Sequence, residues 1–257
     1  MNQYTDLSLL LLTHNSSSNL KKLWTWLDQC PKINQIIAVD DNSTDDTVKI
    51  LNTLGSQSRK IIIQGRGLAN NFSEQRRFGL KYATNDWIFW LDTDELPSPK
   101  LIEFLNHFEP QSDTAYSLPR HDFFLGYQLQ HGETASLKFT RVFNKNHGKF
   151  SGAVHETWQT SDKIVSINRP IFHYSHTTFY SLMEKINFYS DIRAHELFQQ
   201  KIHTNLFQIV FYPLGKFLYN YIVRLGFLDS TPGIIMALSM SFHSFLVRAK
   251  LWHLWQS

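Results

Sequence analysis

The sequence predicts an α/β protein with a doubly wound, mostly parallel sheet and a C-terminal amphipathic helical extension. In the first half of the chain, short apolar runs of strand length alternate with segments whose apolar residues recur at helical spacing. Polar residues directly follow these runs, as is typical of the carboxyl ends of parallel strands that bind ligands. The length of 257 residues fits one domain, or one domain with an appendage.

The predicted elements follow one another in regular order. Each strand is an apolar run suited to burial on both faces of a sheet, and each helix carries one apolar face. Ser16 to Ser18 could cap the first helix, and Ser43 with Asp46 forms a capping-box pattern before the second. The predicted strands are Leu7–Leu12, Ile36–Val39, Lys60–Gln64 and Trp87–Leu91. The first two predicted helices have apolar faces within Leu20–Leu27 and Val48–Leu54, and the third runs from about Ser73 to Ala83.

Composition excludes several classes of protein. Hydrophobic residues make up 42% of the chain, which is ample for a core, and a charged fraction of 18% excludes a disordered polyelectrolyte. The net charge of +3 does not by itself indicate nucleic acid. With a single cysteine, Cys30, neither a disulfide framework nor a cysteine-built zinc site is expected. The apolar run near the N-terminus lacks a basic flank, which predicts a strand and not a signal peptide.

Three carboxylates end the fourth predicted strand. Asp92, Asp94 and Glu95 come directly after Trp87–Leu91, at the edge where open α/β sheets bind ligands. Side chains two residues apart on an extended chain point the same way, so Asp92 and Asp94 can converge on one hard cation. A solvated acidic turn is the alternative for an isolated D-x-D.

Other predicted strands also end in polar residues. Thr13, Asp40 and Asp92 each follow a buried strand, and parallel neighbours would place all three along one rim of the sheet. Asp40 could accept a hydrogen bond from a nucleotide base, and Asp94 could hold a metal ion. Arg76 or Arg77 on the third helix could contact phosphate oxygens or the base. These residues favour a ligand site over an acidic turn.

The sequence has neither a Walker loop nor a G-x-G-x-x-G motif, so dinucleotide binding of the Rossmann type is not expected. The His173-x-x-His176 pair could bind zinc on a helix, but the chain has no H-E-x-x-H. A zinc hydrolase is therefore disfavoured. Either histidine could complete a metal shell, touch a phosphate or serve as a structural hydrogen-bonding residue.

Three motifs, in this order and spacing, resemble those of the inverting family 2 glycosyltransferases of the GT-A fold. They are TxNxxxxL from Thr13, DDNSxDxT from Asp40 to Thr47, and QRxFGLxxAxxDWIxxLDxDE from Gln75 to Glu95. This family resemblance implies a Rossmann-like nucleotide-binding half and an acceptor half.

The resemblance extends into the second half of the chain. Gly152–Glu156 looks like the G-x-VHE segment of bacterial lipopolysaccharide-core glycosyltransferases, the branch that includes the β-1,4-glucosyltransferases acting on inner-core heptose. The chain departs from that pattern at Arg77, where relatives often carry Asn, and at Ser230, where Gly is usual. The further matches are His173-Tyr174, Lys185, Tyr189 and Gly226–Ser230.

The resemblance implies roles for individual residues. Asp40 would contact the uracil N–H, Arg76 would lie close to the base or the phosphates, and Asp92 would approach the ribose. Asp94 would bind Mg²⁺ or Mn²⁺ bridging the diphosphate, with Asp92 and a candidate third ligand, His173. The implied nucleotide-sugar-binding residues are Thr13, Asn15, Asp40, Asp41, Arg76 and Asp92.

Inversion needs one displacement by an acceptor hydroxyl and hence one general base on the acceptor side. Glu156 is the candidate, because it falls in the second half where the acceptor should bind. His155 could orient Glu156 or contact the phosphates. If Glu156 is not the base, Asp122 and Glu133 are the next candidates.

From about Leu206 the composition becomes apolar and aromatic. Ser230–Val247 has no formal charge, but Pro232 and Gly233 weaken a transmembrane interpretation. Basic residues among Trp, Phe and Tyr favour helices that lie in the headgroup layer of an anionic membrane. The alternative is a helical hairpin packed on the catalytic domain or on a second subunit of a homodimer.

The predicted domains are a GT-A catalytic domain, 1–204, and a membrane-associated helical segment, 205–257. Within the first, 1–115 is the nucleotide-sugar half and 116–204 the acceptor half. The resemblance implies transfer of a sugar, with glucose expected, from a UDP-sugar to a lipid-linked bacterial glycan such as the lipopolysaccharide core. The expected location is the cytoplasmic face of the inner membrane, with no nucleic-acid partner.

Two other functions remain open at this point. A nucleotidyltransferase also uses strand-end carboxylates and metal, but it would need a basic G-x-G-T-R-type loop after its first strand, where this chain has THNSSSN. A non-catalytic sugar-nucleotide-binding or lipid-binding protein could keep the same fold. The intact Asp92, Asp94 and Glu156 argue against that alternative.

Overall fold

The structure is a computed structural model that describes residues 5–54, 59–69, 71–133, 137–152, 156–176 and 178–256. The chain forms two compact units that each combine separate stretches of sequence. The first unit holds the residues up to Arg120 together with Lys138–His173. The second holds His121–Leu137 and the chain from Tyr174 onward.

Twelve strands occur among the described residues. They are β1 Leu7–Thr13, β2 Ile33–Asp40, β3 Lys60–Gly65, β4 Trp87–Asp92, β5 Glu95–Pro97, β6 Thr114–Phe124, β7 Tyr127–Gln128, β8 Lys138–Asn144, β9 Gly148–Ser151, β10 Thr157–Thr160, β11 Lys163–Ser166 and β12 Ile171–His176. The main sheet has the order β3-β2-β1-β4-β8-β6-β12-β5, with β11 and β7 also pairing with β6, while β9 and β10 form a separate two-stranded sheet.

The first four strands form the predicted parallel sheet. β1 pairs in parallel with β2 and with β4, so Thr13 lies opposite Asp40 and Leu12 lies opposite Asp92. Because β4 is on the other side of β1 from β2, the strand order reverses at β1, which is the doubly wound arrangement. The predicted rim of polar strand ends is therefore present. β8 joins β4 in antiparallel orientation and makes the sheet mixed.

The strands are buried on both faces, as their continuous apolar runs predict. Leu9 and Phe89 pack with Trp26 in one cluster, while their chain neighbours Leu10 and Trp90 point into a second cluster on the other face. The helices are α1 Ser17–Leu27, α2 Thr47–Leu54, α3 Phe72–Leu80, α4 Pro99–Asn106, α5 Phe179–Gln199, α6 Leu206–Leu218 and α7 Ser230–Leu254.

Ser16 is the N-cap residue of α1, within the predicted range, but its side chain makes no cap bond. The capping box predicted for α2 is wrong, because Ser43 donates its hydroxyl to Asp40. Asp45 serves both helices: its Oδ2 accepts from the Ser17 N–H (3.1 Å) and its Oδ1 accepts from the Thr47 N–H (3.0 Å). One carboxylate thus satisfies donors at two helix N-termini, where negative charge is also favourable.

The second unit has its own apolar core. Phe124 and Leu129 pack with Leu182 and Ile186 of α5, and Met236 of α7 lies against this cluster. Asp229 binds a neighbouring loop, accepting from the His131 N–H (2.8 Å) and contacting His131 Nδ1 (2.8 Å). The predicted domain boundary at 204/205 falls between α5 and α6, inside this unit, and stays a prediction.

α7 is long and apolar. Among the described helices, only Gly226–Leu254, which includes α7, has the length and composition to cross a membrane. Of its most apolar stretch of 18 residues, 22% is buried. Lys250 near its end forms an ion pair with Asp191 of α5 (2.8 Å), and the Ser241 hydroxyl donates to the Pro213 carbonyl of α6 (2.8 Å). α7 therefore packs against α5 and α6 within the second unit.

The backbone conformation at the start of α7 gives a physical reason for the glycine that the family pattern has at position 230. Ser230 has φ 53° and ψ −136°. In this left-handed region a Cβ atom clashes with the backbone, whereas glycine does not. The glycine that is usual at this position adopts this conformation without a steric clash, whereas Ser230 adopts it at a steric cost.

Replacing Ser230 with glycine should raise the free energy of unfolding by about 1 kcal/mol, because the steric cost of the Cβ disappears. Urea denaturation followed by tryptophan fluorescence measures the change. Ser230→Ala is the matched control: it removes the hydroxyl but keeps the Cβ, and it should give no gain. A glycine variant no more stable than wild type would contradict this account of the turn.

Candidate active site

The carboxyl ends of β1 and β2 are joined by a buried hydrogen-bond pair. Thr13 Oγ1 donates to Asp40 Oδ1 (2.7 Å), and the Ser43 hydroxyl donates to the same oxygen (2.6 Å). The second oxygen of Asp40 accepts from the Ser43 N–H (2.9 Å). Both Thr13 and Asp40 are buried. The Asp40 carboxylate therefore shapes the turn after β2, and its predicted contact with a base stays a prediction.

Asn15 and Asp41 tie the neighbouring loops together. Asn15 Oδ1 accepts from the Thr44 N–H (2.8 Å), which links the loop after β1 to the loop after β2. Asp41 Oδ1 accepts from the Leu68 N–H (2.8 Å), which adds the loop after β3. The side chain of His14 contacts the Asp41 carbonyl through Nδ1 (2.6 Å). These contacts organise three adjacent strand ends into one connected surface.

A buried arginine connects the D-x-D segment to the candidate base. Arg76, on α3, is 1% exposed, and its Nη2 donates to Asp92 Oδ1 (2.6 Å). Its Nε donates to Glu156 Oε1 (2.7 Å). The guanidinium also lies over the Trp90 ring at 3.9 Å from the centroid. Among the described residues, its Nη1 has no hydrogen-bond partner, so one buried donor remains for a ligand or water.

Sequence reasoning missed a second buried arginine in this cluster. Arg141 of β8 donates from Nη2 to Glu95 Oε1 (2.6 Å), and its Nη1 lies 4.0 Å from Asp92 Oδ2. Its guanidinium covers Trp90 at 3.6 Å from the ring centroid, so two arginines stack on one indole. The signal was available: Arg141 is the one charged residue in the strand segment FTRVFN, which also contains Phe139, Val142 and Phe143.

The two arginines control the charge state of the carboxylates. Burial would raise the pKa of Asp92, but the Arg76 and Arg141 guanidinium groups outweigh it and hold that pKa below its usual value. Burial raises the pKa of Glu95, and the carboxylates of Asp92 and Asp94 add to this effect against the pull of Arg141. Asp92 is therefore ionised at neutral pH. Glu95 is the structural partner of Arg141, and its second oxygen accepts from the Asp92 N–H (3.1 Å).

Asp94 and His173 form the part of the site best suited to a metal ion. β12 pairs in antiparallel orientation with β5, which sets His173 opposite Glu95 and brings its Nε2 to 3.5 Å from Asp94 Oδ2. One divalent cation bound at about 2.0–2.2 Å from each atom can span this separation. The oxygens of Asp92 already face Arg76 and Arg141, so Asp92 is less available as a ligand.

A second possible metal group lies elsewhere in the first unit. Ligand atoms of Asp113, His147 and Asp162 lie within 4.8 Å of one another, with His147 Nδ1 at 3.0 Å from Asp162 Oδ2. Asn144 is paired with Trp87 at the amino end of β4, so the turn that holds His147 is at the opposite edge of the sheet from Asp92. This group cannot serve the D-x-D segment.

The remaining predicted residues fall into three places. Arg77 is exposed on α3 and pairs with Glu74, outside the buried cluster. His155 and the side chain of His176 lie outside the described residues. The alternative bases Asp122 and Glu133 belong to the second unit. The site of the first unit thus combines Thr13, Asn15, Asp40, Asp41, Arg76, Asp92, Asp94, Arg141, Glu156 and His173.

Comparisons with known proteins find glycosyltransferases among the relatives of this chain. An uncharacterized glycosyltransferase of Rickettsia prowazekii (strain Madrid E) is 28% identical over 268 residues, covering 95% of this chain and 86% of the relative. The lipopolysaccharide core biosynthesis glycosyltransferase LpsC of Rhizobium meliloti (strain 1021) is 23% identical over 254 residues, covering 96% and 92%.

A solved structure supports the fold. The mannosyltransferase PcManGT from Pyrobaculum calidifontis, in complex with GDP-Man and Mn²⁺, has a TM-score of 0.57 and 9% identity and covers 100% of this chain and 89% of that chain. The predicted GT-A fold is thereby confirmed. Residues 8–205 match the family model described as Glycosyl transferase family 2. This match spans more than half of the chain, and the chain belongs to glycosyl transferase family 2.

Proposed function

We propose that this family 2 glycosyltransferase moves glucose from UDP-glucose to a lipid-linked bacterial glycan such as the lipopolysaccharide core, with inversion. The observation that carries the proposal is the buried Arg76, which holds Asp92 of the D-x-D segment and the candidate base Glu156 in one cluster. The likeness to LpsC along most of both chains supports the acceptor class. The inner-core β-1,4-glucosyltransferase branch is the specific group that we propose.

The donor nucleotide would bind along the strand ends of the first unit. Asn15 and Asp41 link the loops there, next to the buried Thr13–Asp40 pair, and a uracil and its ribose would bind at these four residues. Asp94 and His173 would hold Mg²⁺ or Mn²⁺, which when bound offsets the charge of the departing nucleoside diphosphate.

Glu156 would act as the general base. The acceptor hydroxyl oxygen forms a bond to the anomeric carbon, the bond from that carbon to the diphosphate oxygen breaks, and the hydroxyl proton moves to the Glu156 carboxylate. Arg76 is a positioning residue in this step: its Nε donates to one oxygen of Glu156, and its guanidinium packs over the Trp90 ring. A base held in place costs little reorganisation in the transition state.

We place the enzyme at the cytoplasmic face of the inner membrane, attached peripherally through the second unit. α6 contributes no buried residue to that unit, although most of its side chains are apolar or aromatic. Leu206 is 77% exposed and Phe207 63% exposed. Such a surface is suited to the headgroup layer of a membrane. The nucleotidyltransferase alternative has no support from the family match.

A UDP-release assay with several sugar nucleotides, run with and without a lipid-linked acceptor from membrane extract, tests the proposal. UDP should appear fastest with UDP-glucose, and only when acceptor is present. Acceptor-dependent release from another sugar nucleotide would change the assigned sugar. The absence of acceptor-dependent release from all of them would contradict the transferase function.

Asp94→Ala should lower turnover about a hundredfold, equal to about 3 kcal/mol of lost transition-state stabilisation, because the metal loses a ligand. Asp113→Ala removes a carboxylate from the group at the opposite edge of the sheet and should leave turnover unchanged. Steady-state kinetics with Mn²⁺ titration compares the two variants. Wild-type turnover that persists in excess EDTA would show that the metal assignment is wrong.

Glu156→Gln keeps the size of the side chain and removes its basicity. Transfer should collapse, by about a hundredfold or more, while calorimetric UDP affinity changes by less than about threefold. Glu74→Gln is the matched control on the exposed face of α3, and transfer should stay near wild type. If the Glu156 variant transfers sugar normally, the base lies elsewhere, and Asp122 and Glu133 are the next residues to replace.

A further inference from the structure

The second unit contains an open groove that the proposed reaction does not use. It has a volume of about 550 Å³ and is lined by residues of α5, of α6 and the turn after it, and of α7. Three basic side chains line it: Arg193 of α5, Lys216 of α6 and Arg248 of α7. His243 also lines the groove. Among the residues that the structure describes, no aspartate or glutamate lines it.

The basic residues of the groove are unequally neutralised. Arg193 pairs with Glu196 (2.9 Å), and Lys216 pairs with Glu133. Arg248 lies over the ring of Tyr212, at 4.0 Å from the centroid, and has no carboxylate partner within the described residues. Burial, and then the nearby positive charge of Arg193, lower the pKa of Arg248 against the pull of Tyr212. Arg193 and Arg248 are close enough to affect each other's charge, and only Arg193 has a carboxylate partner among the described residues. An anionic group bound beside both guanidinium groups would offset their repulsion.

The groove lies beside an exposed apolar stripe. Phe207, Phe211, Leu214 and Leu218 follow one another at helical spacing along α6, and each is between 43% and 63% exposed. Phe211 also lines the groove, so the stripe and the basic cluster are continuous. A ligand that fits both must carry an anionic group and long apolar chains. Phospholipids of an anionic membrane have this chemistry.

We propose that the groove binds the phosphate of an anionic membrane phospholipid, between Arg193 and Arg248, while its acyl chains lie along the α6 stripe. Arginine binds phosphate through several donors at once, and the Arg248 guanidinium packs over the Tyr212 ring at 4.0 Å from its centroid. This site deepens the proposed membrane attachment, yet it requires none of the residues of the candidate active site. The groove would fix the enzyme on the bilayer at one headgroup.

Flotation with vesicles tests the site. The full chain should float with phosphatidylglycerol vesicles and much less with phosphatidylcholine vesicles. The double variant Arg193→Gln/Arg248→Gln should bind phosphatidylglycerol vesicles roughly 10- to 30-fold more weakly, the loss expected for two basic side chains at an anionic surface. Lys49→Gln/Lys201→Gln removes the same charge from exposed positions outside the groove and should weaken binding less than about threefold.

Three outcomes would overturn the proposal. Equal flotation of the two double variants would mean that the groove is not the lipid site. Binding of glycerol 3-phosphate as tight as that of vesicles would identify a site for a free phosphate instead of a lipid. Protein that remains in the membrane after alkaline carbonate treatment would indicate a membrane span.

Two control measurements separate this site from the transferase proposal. The melting temperature of each variant excludes unfolding as the cause of lost flotation. Calorimetric UDP binding, which depends on the first unit, should be the same in all variants. A wild-type protein that does not bind UDP would contradict the proposed function but not the lipid site. Normal UDP binding together with flotation that does not depend on the groove charges would contradict the lipid site but not the proposed function.

Discussion

The Arg76 guanidinium is the constraint on which the candidate site depends. It is almost completely removed from water, and a buried charge is tolerated only when opposite charges and hydrogen bonds surround it. Asp92 and Glu156 supply those charges from two distant parts of the chain. Removing one partner of such a buried pair costs about 3–5 kcal/mol, since the other charge is left unpaired. The positions of β4, α3 and the segment after β9 are therefore coupled through one side chain.

Trp90 makes this arrangement possible within a packed sheet. The guanidinium groups of Arg76 and Arg141 both lie over its indole ring, and its Nε1 donates to the Thr140 carbonyl of β8 (2.7 Å). Phe150 packs edge-on against the same ring. The aromatic group replaces part of the hydration that two guanidinium groups lose on burial. The charges of the site are thus built into the apolar core beneath it, which limits their movement.

The sequence predicted those features that local periodicity and parallel pairing determine. Continuous apolar runs identified β1, β2 and β4, and the rule that parallel strands end at one edge brought Thr13, Asp40 and Asp92 together. Contacts between loops were not predictable: Asp45 caps two helices, although Ser43 and Asp46 had the better local pattern. Arg141 reaches the site through the antiparallel strand β8, whose pairing partner has no local signature. His173, on the antiparallel strand β12, was already among the candidate metal ligands.

The charged clusters of the two units differ in burial, and burial determines how each cluster responds to salt. The Arg76 and Arg141 pairs lie in the core of the first unit, where dissolved ions screen them little. The basic groove of the second unit is open to solvent, so its attraction for an anionic surface falls as the ionic strength rises. The exposed apolar side chains of α6 are not screened, because their burial in a membrane does not depend on charge. Salt should therefore weaken the proposed membrane attachment without releasing the protein completely, and it should leave the geometry of the candidate active site intact.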